Sequence, residues 1–329
     1  MTKNHLAASF GLISLLYYAS AQASCGTTTC SINTNWDDYG ASHPGWDADL
    51  RYSYSRADTL RSGSHKISAD TRFAGEVENL RTLNRIVTAG LDYTYDNHWG
   101  ITLQLPFITR DHNHNLGPYT GGTPAGYESF HASAMGDIKT MGRYRWALDE
   151  ARRSGMGVKF GLKLTTGGKN FVIAQTGAVP GEATLQPGNG STDLIIGTFW
   201  FQSTPGSDWN GFAQATAQIS INSIATFRPG NQINLDGGTR YAFSQNLSGV
   251  LQLNMQFNNT DSGSAAALSP ASGEPNSGAR MLSLTPGLSY ALTPSTQLYG
   301  LLQLPLHQYV NGEQLTANAS ISIGISQRF

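Results

Sequence analysis

Cysteine is nearly absent: the 329-residue chain carries only Cys25 and Cys30, both close to its start. Charge is scarce as well, at 13% of residues with a formal net charge of −1. A disulfide-built secreted scaffold needs more cysteine than this. A nucleic-acid or anionic-surface binder needs a basic excess that is missing, so no nucleic-acid partner is expected. Beyond the first two dozen residues no apolar run reaches the roughly 20 residues of a membrane-spanning helix. There is no Cys-x-x-Cys-His haem attachment, no Gly-rich phosphate loop and no zinc-protease motif, so neither a cofactor nor a resident metal is expected.

What the chain does have is glycine, 37 residues of it, and short stretches that alternate apolar with polar residues. The last is the clearest: Ala317, Ala319, Ile321, Ile323 and Ile325 fall on one face, against Thr316, Asn318, Ser320, Ser322 and Gly324 on the other. A two-residue period places a strand between an apolar and a polar environment. About twelve such segments follow one another from Asp47 to Phe329, each near the 9–11 residues that a tilted strand needs to cross the hydrocarbon layer. The connections alternate in length. Asp96 to His98, Asp149 to Gly155, Ser203 to Asn210, Ser244 to Asn246 and Thr293 to Thr296 are short. Ala57 to Thr82, Ile108 to Gly136, Thr165 to Thr192, Ser223 to Gln232, Asn258 to Met281 and His307 to Leu315 are longer. Short turns on one side and long loops on the other are the habit of bacterial outer-membrane barrels.

Aromatic placement points the same way, because Tyr93, Tyr95, Trp99, Trp146, Tyr241, Phe243, Tyr290 and Phe329 fall at strand ends beside the short turns, as an interfacial girdle requires. The expected fold is therefore an all-β, antiparallel, up-and-down transmembrane barrel of about twelve strands over residues 46–329, placed in the outer membrane in contact with its lipid. The start of the chain agrees with export. Lys3 and His5 precede an apolar stretch, and Ala21-Gln22-Ala23 offers a small-x-small cleavage site, which makes residues 1–23 a signal peptide. Residues 24–45 then form an N-terminal segment that either sits inside the barrel as a plug or lies in the periplasm. The spacing of Cys25 and Cys30 suits a local disulfide in an oxidising compartment.

The motifs Ala134-Met135-Gly136-Asp137-Ile138, Gly142-Arg143-Tyr144-Arg145, Gly161-Leu162-Lys163-Leu164-Thr165-Thr166-Gly167 and Gln186-Pro187-Gly188-Asn189-Gly190-Ser191-Thr192-Asp193 resemble strand and turn signatures of a known family. Its members are outer-membrane proteins named for the phenol meta-degradation pathway and grouped with transporters of hydrophobic compounds. The resemblance implies a transporter-like barrel and carries no catalytic residues. The terminal Phe329 resembles the tag read by the barrel-assembly machinery, which would make that machinery a partner.

Function then belongs to the polar face of the strands. Lys139, Arg143 and Arg145 share the inward face of one strand, and Lys159 and Lys163 that of its neighbour; Arg51, Asp92, Gln104, Asp236 and Arg240 also point inward. This basic stripe either attracts anionic solutes, as rings of charge do in pores, or pairs with carboxylates to fill the lumen. The expected function is passage or binding of a small solute, aromatic or anionic. Its first rival is a non-transporting barrel that binds a protein through its loops or N-terminal segment; an outer-membrane hydrolase comes third. Asp111-His112-Asn113-His114 reads as a solvated loop tip, although its alternate residues share a face and with His131 have the chemistry to hold a metal.

Overall fold

The structure, a computed structural model, describes residues 44–67, 78–116, 126–149, 153–175, 177, 181–203, 206–264 and 276–329. The expected signal peptide, nearly all of the 24–45 segment and the Cys25–Cys30 pair lie outside the described residues. Thirteen strands follow in order: β1 (Gly45–Gly63), β2 (His65–Lys66), β3 (Glu78–Thr94), β4 (Trp99–Leu116), β5 (Gly126–Met135), β6 (Lys139–Ala147), β7 (Ser154–Lys163), β8 (Thr192–Ser203), β9 (Trp209–Asn222), β10 (Gln232–Ala242), β11 (Leu247–Asn258), β12 (Ala279–Ala291) and β13 (Thr296–Arg328). All pairings are antiparallel and between chain neighbours, except that β1 pairs with both β2 and β3, β4 pairs with both β5 and β6, and β13 closes the sheet on β1. Eleven strands make a closed barrel; β2 and β5 stand outside that ring.

The closing strand doubles back. Its residues 297–310 pair with β12 and residues 310–328 with β1, both antiparallel, so β13 rises and returns. The reversal falls at Asn311-Gly312, with Gly312 at a φ of 56°. An Asn-Gly pair adopts the left-handed backbone that a two-residue hairpin requires, so the expected loop from His307 to Leu315 is a tight turn between two strands that extend up to it. Counting both arms, twelve strands cross, and both ends of the barrel chain lie on one side. The seam is fastened there by the Phe329 N–H donating to the Trp46 carbonyl at 2.9 Å and by Arg328 Nε donating to Asp47 Oδ1 at 3.2 Å.

Exposure is inverted relative to a water-soluble fold. Outward leucines and isoleucines are bare, with Leu288 at 58% and Ile323 at 55%, whereas inward Gln252 and Thr285 are at 0%. Among the described residues no helix could cross a membrane; the apolar surface is the outer face of the barrel itself. The twelve residues of β11, tilted by about 40° at roughly 3.4 Å each, rise about 30 Å and cover an apolar band of about 25 Å. At the short-turn end an aromatic ring forms, with Trp46 beside Tyr93 (4.6 Å between centroids), Trp99 beside Tyr144 (4.8 Å) and Trp209 beside Tyr241 (4.7 Å). The turns are capped locally: the Asp96 carboxylate accepts from the N–H groups of His98 and Trp99 at 2.7 Å each. Those two donors hold its carboxyl below the ordinary carboxylate range.

One expected loop is a wall. Ile108 to Gly136 was expected to connect strands, yet β4 continues to Leu116 and β5 pairs alongside it from Phe107↔Met135 to Leu116↔Gly126. The signal was an unbroken alternation through His112 and His114 whose inward residues are polar and therefore resemble loop composition.

Candidate channel lumen

Of the residues expected to line the lumen, Arg51, Asp92, Gln104 and Arg240 meet at one cavity, and the basic residues of β6 and β7 find polar partners on neighbouring strands. Arg143 makes a bidentate contact with Asp92 and donates to Thr94 Oγ1 at 2.6 Å. Lys163 lies between Asp137 (3.2 Å) and Asp193 (3.1 Å) and also donates to Asn189 Oδ1 (2.5 Å) and Ser191 Oγ (2.9 Å). These two cations meet carboxylates. Lys139 donates to Gln218 Oε1 at 3.1 Å, Lys159 to Gln214 Oε1 at 3.0 Å and Arg145 to the Asn97 carbonyl at 3.2 Å.

The register explains why these groups meet. Lys139 lies opposite Lys163, which lies opposite Asp193, so charges on β6, β7 and β8 stack at one level. A second belt runs round the wall: Gln214 donates to Asp236 Oδ2 (2.7 Å), Asn254 to Asp236 Oδ1 (2.7 Å) and Thr285 to Asn254 Oδ1 (2.6 Å). With Lys159 it links β7, β9, β10, β11 and β12. At the short-turn mouth a cavity of about 460 Å³ is lined by Arg51, Asp92, Gln104, Phe212, Arg240 and Tyr299, among others. Tyr299 Oη donates to Asp49 Oδ2 there at 2.7 Å, and Arg240 to Ser248 Oγ at 3.1 Å.

Sequence reasoning missed the apolar residues of this face. Phe199, Phe201, Phe212, Val250, Tyr299 and Leu301 point inward and form one cluster, each 2–7% exposed. They lie flat because adjacent strands offer glycine beneath them. A Cβ at Gly155 would sit 2.6 Å from Phe201, and one at Gly238 would sit 2.7 Å from Phe212. Cations cover the other side, with Arg145 5.6 Å from the Phe201 ring centroid and Lys159 5.4 Å from that of Phe199. The lumen therefore presents a polar surface over a sealed aromatic layer. The available signal was parity: Phe199 and Phe201 share the face of Asp193.

Between β7 and β8, the described residues of 164–191 pack against the inner face of β5. Leu185 and Phe171 pack on Phe130 and Ala132 of β5, which lie beside inward Arg110 and His112 of β4. Arg110 donates to the Thr184 carbonyl at 2.8 Å and to Asn84 Oδ1 at 2.6 Å, while Gln186 clamps Phe171 by accepting from its N–H (3.0 Å) and donating to its carbonyl (2.8 Å). Both ends of the segment converge on Asp137, which accepts from the N–H groups of Gly167 (2.9 Å) and Asn189 (3.3 Å) as well as from Lys163. The long-loop mouth is thus narrowed by the chain itself.

The histidine cluster divides across the sheet. His112 and His114 face inward, whereas His131 faces outward, its Nδ1 2.7 Å from Asp111 Oδ1. Opposite faces prevent the three imidazoles from sharing a metal. Among the described residues no group of three His, Cys, Asp or Glu side chains could hold one.

No known family profile matches the chain, and no curated protein does. Solved structures do. The COG4313 outer-membrane channel from Pseudomonas putida F1 aligns with a TM-score of 0.63 at 15% identity, over 89% of this chain and 98% of that one. The translocator domain of the autotransporter NalP from Neisseria meningitidis aligns with a TM-score of 0.50 at 10% identity, over 89% and 91%. At such identities the likeness is one of fold, and the fold, with its bare apolar belt and aromatic ring, is that of an outer-membrane β-barrel.

Proposed function

We propose that the barrel is a channel for small hydrophilic solutes with a preference for anions. The observation that carries this reading is the lumen surface: Lys139, Arg143 and Arg145 on β6 and Lys159 and Lys163 on β7 make one basic wall, and the aromatic layer beside it is sealed by glycine niches. Cations along a pore wall favour negative solutes. A solute that is purely apolar finds little to bind, because the inward rings are no more than 7% exposed. The family resemblance would favour an aromatic compound; on this surface such a solute passes only if it carries a carboxylate or comparable charge. The inward 164–191 segment sets an upper limit on size.

Liposome swelling tests this directly. Proteoliposomes should admit gluconate and benzoate faster than protein-free liposomes, and the purified barrel should not retain toluene. Swelling rates equal to those of empty liposomes, or stoichiometric retention of toluene, would remove the proposal.

A further inference from the structure

We infer that Asp111, His131 and Ser133 form a hydrolytic triad on the outer, lipid-facing surface of the wall, placed to cleave fatty-acyl esters of membrane lipid. The inference is independent of the channel reading, because the lumen lies on the other side of the sheet.

The first observation is register. Asp111 of β4 stands directly opposite His131 of β5, and Thr109 directly opposite Ser133. Residues two apart on a strand share a face, so all four side chains project outward on the same parity as Phe107 and Met135, which are bare. His131 Nδ1 lies 2.7 Å from Asp111 Oδ1, and Asp111 Oδ2 accepts from Arg85 Nη1 at 2.7 Å. An ionised carboxylate only accepts, so Nδ1 carries the proton of the neutral imidazole and the basic lone pair falls on Nε2. The imidazole is 61% exposed, which leaves Nε2 accessible from outside the barrel. Ser133 follows on the same strand with its Cα roughly 7 Å from that of His131, a gap that an imidazole and a hydroxyl close between them. Its Oγ now lies 3.0 Å from Thr109 Oγ1, and rotation about its Cα–Cβ bond exchanges that partner for Nε2. Nucleophile, base and orienting carboxylate then stand in sequence, and such contacts tighten when substrate binds.

Depth supplies the second observation. Ser133 shares a level with Thr109, Arg85 and Tyr54 across β5, β4, β3 and β1. The apolar outer face ends just below it at Phe107 and Met135, and an outward tyrosine marks the boundary with the headgroups. A hydroxyl at this level meets the ester carbonyls of lipids rather than their alkyl tails. Arg85, beside Asp111, adds a cation where lipid phosphates lie.

The chemistry follows from these positions. Ser133 Oγ bonds to the ester carbonyl carbon while its proton passes to His131 Nε2, and that proton leaves with the alkoxide as the ester C–O bond breaks. Water then gives a proton to Nε2 and its oxygen to the acyl carbon, the Oγ–C bond breaks, and the proton returns to Oγ as the fatty acid departs. Asp111 is a positioning residue that acts through His131.

The test uses the wild-type barrel refolded in detergent, with heat-modifiable gel migration as the check of folding. Fatty-acid release is followed from dioctanoylphosphatidylcholine in mixed micelles and, separately, from lipopolysaccharide; release from either supports the triad and identifies which lipid supplies the ester. An alkyl fluorophosphonate should label Ser133, located by peptide mass. Ser133→Ala and His131→Phe should each lower release by about 10²-fold or more, with single-channel behaviour unchanged. Asp111→Asn should lower kcat at constant KM and Asp111→Glu should restore part of it, a pattern that loss of a merely structural contact would not give. Absence of release from both lipids, release undiminished in Ser133→Ala, labelling confined to another residue, or an unchanged kcat in Asp111→Asn would each overturn the inference.

Discussion

Lys163→Met is expected to lower the stability of the folded barrel by about 3–5 kcal/mol, the usual cost of removing one partner from a buried ion pair. The lysine is 5% exposed at its side chain and stands between Asp137 and Asp193, themselves 7% and 4% exposed. Methionine fills a similar volume, so the loss is electrostatic: two buried carboxylates keep their charge and lose their shared cation. The effect should spread, because Asp137 also holds Gly167 and Asn189 at the two ends of the inward segment. Urea unfolding of the detergent-folded barrel, followed by tryptophan fluorescence, measures it. Adding Asp137→Asn to Lys163→Met should restore a substantial part of the loss by removing one of the stranded charges. An unchanged midpoint for the single variant would show that the three groups do not act as a unit.

The second large effect concerns selectivity. Lys139→Glu combined with Lys159→Glu is expected to turn an anion-favouring barrel into a cation-favouring one. A unit charge about 8 Å from a permeating ion contributes roughly 0.5 kcal/mol in water-like surroundings, so reversing two lysines shifts each ion by about 2 kcal/mol before screening. That amounts to roughly a tenfold or greater change in the permeability ratio, read as a change of sign in the reversal potential under a salt gradient. Arg143→Glu should serve as a poorer reporter, since Arg143 is already matched by Asp92 and its loss disrupts a buried pair. No change of sign in the double variant would mean that ions pass along a route away from the β6–β7 wall.

Much of the fold was legible because a barrel wall imposes a two-residue period that no loop imitates. The apolar faces of Trp99 to Phe107 and of the last strand predict outward positions that are bare, with Ile101 at 53% and Ile325 at 39% exposed. The placing of the basic stripe on one face of β6 and β7 rests on the same period. Its electrostatic character did not, because Asp137 and Asp193 reach Lys163 from residues 26 and 30 positions away, and separation in sequence gives no distance in space. The extension of β4 beyond Phe107 was hidden by polar residues on its inward face. The inward fold of segment 164–191 was hidden for a different reason. Gly, Pro and Ser there carry no periodicity, and the groups that seat it, Arg110 and Phe130, belong to strands that read as loop. The Asn311-Gly312 turn was a local signal, since that dipeptide is a strong hairpin former, yet the strands beyond it were drawn too short.

Single-channel recording in planar bilayers under a potassium chloride gradient tests the reading of this barrel as a channel most directly. Discrete current steps with a reversal potential on the chloride side are the predicted result for the wild-type chain. A correctly folded barrel that passes no current would contradict it and would leave partner binding through the loops as the function to pursue.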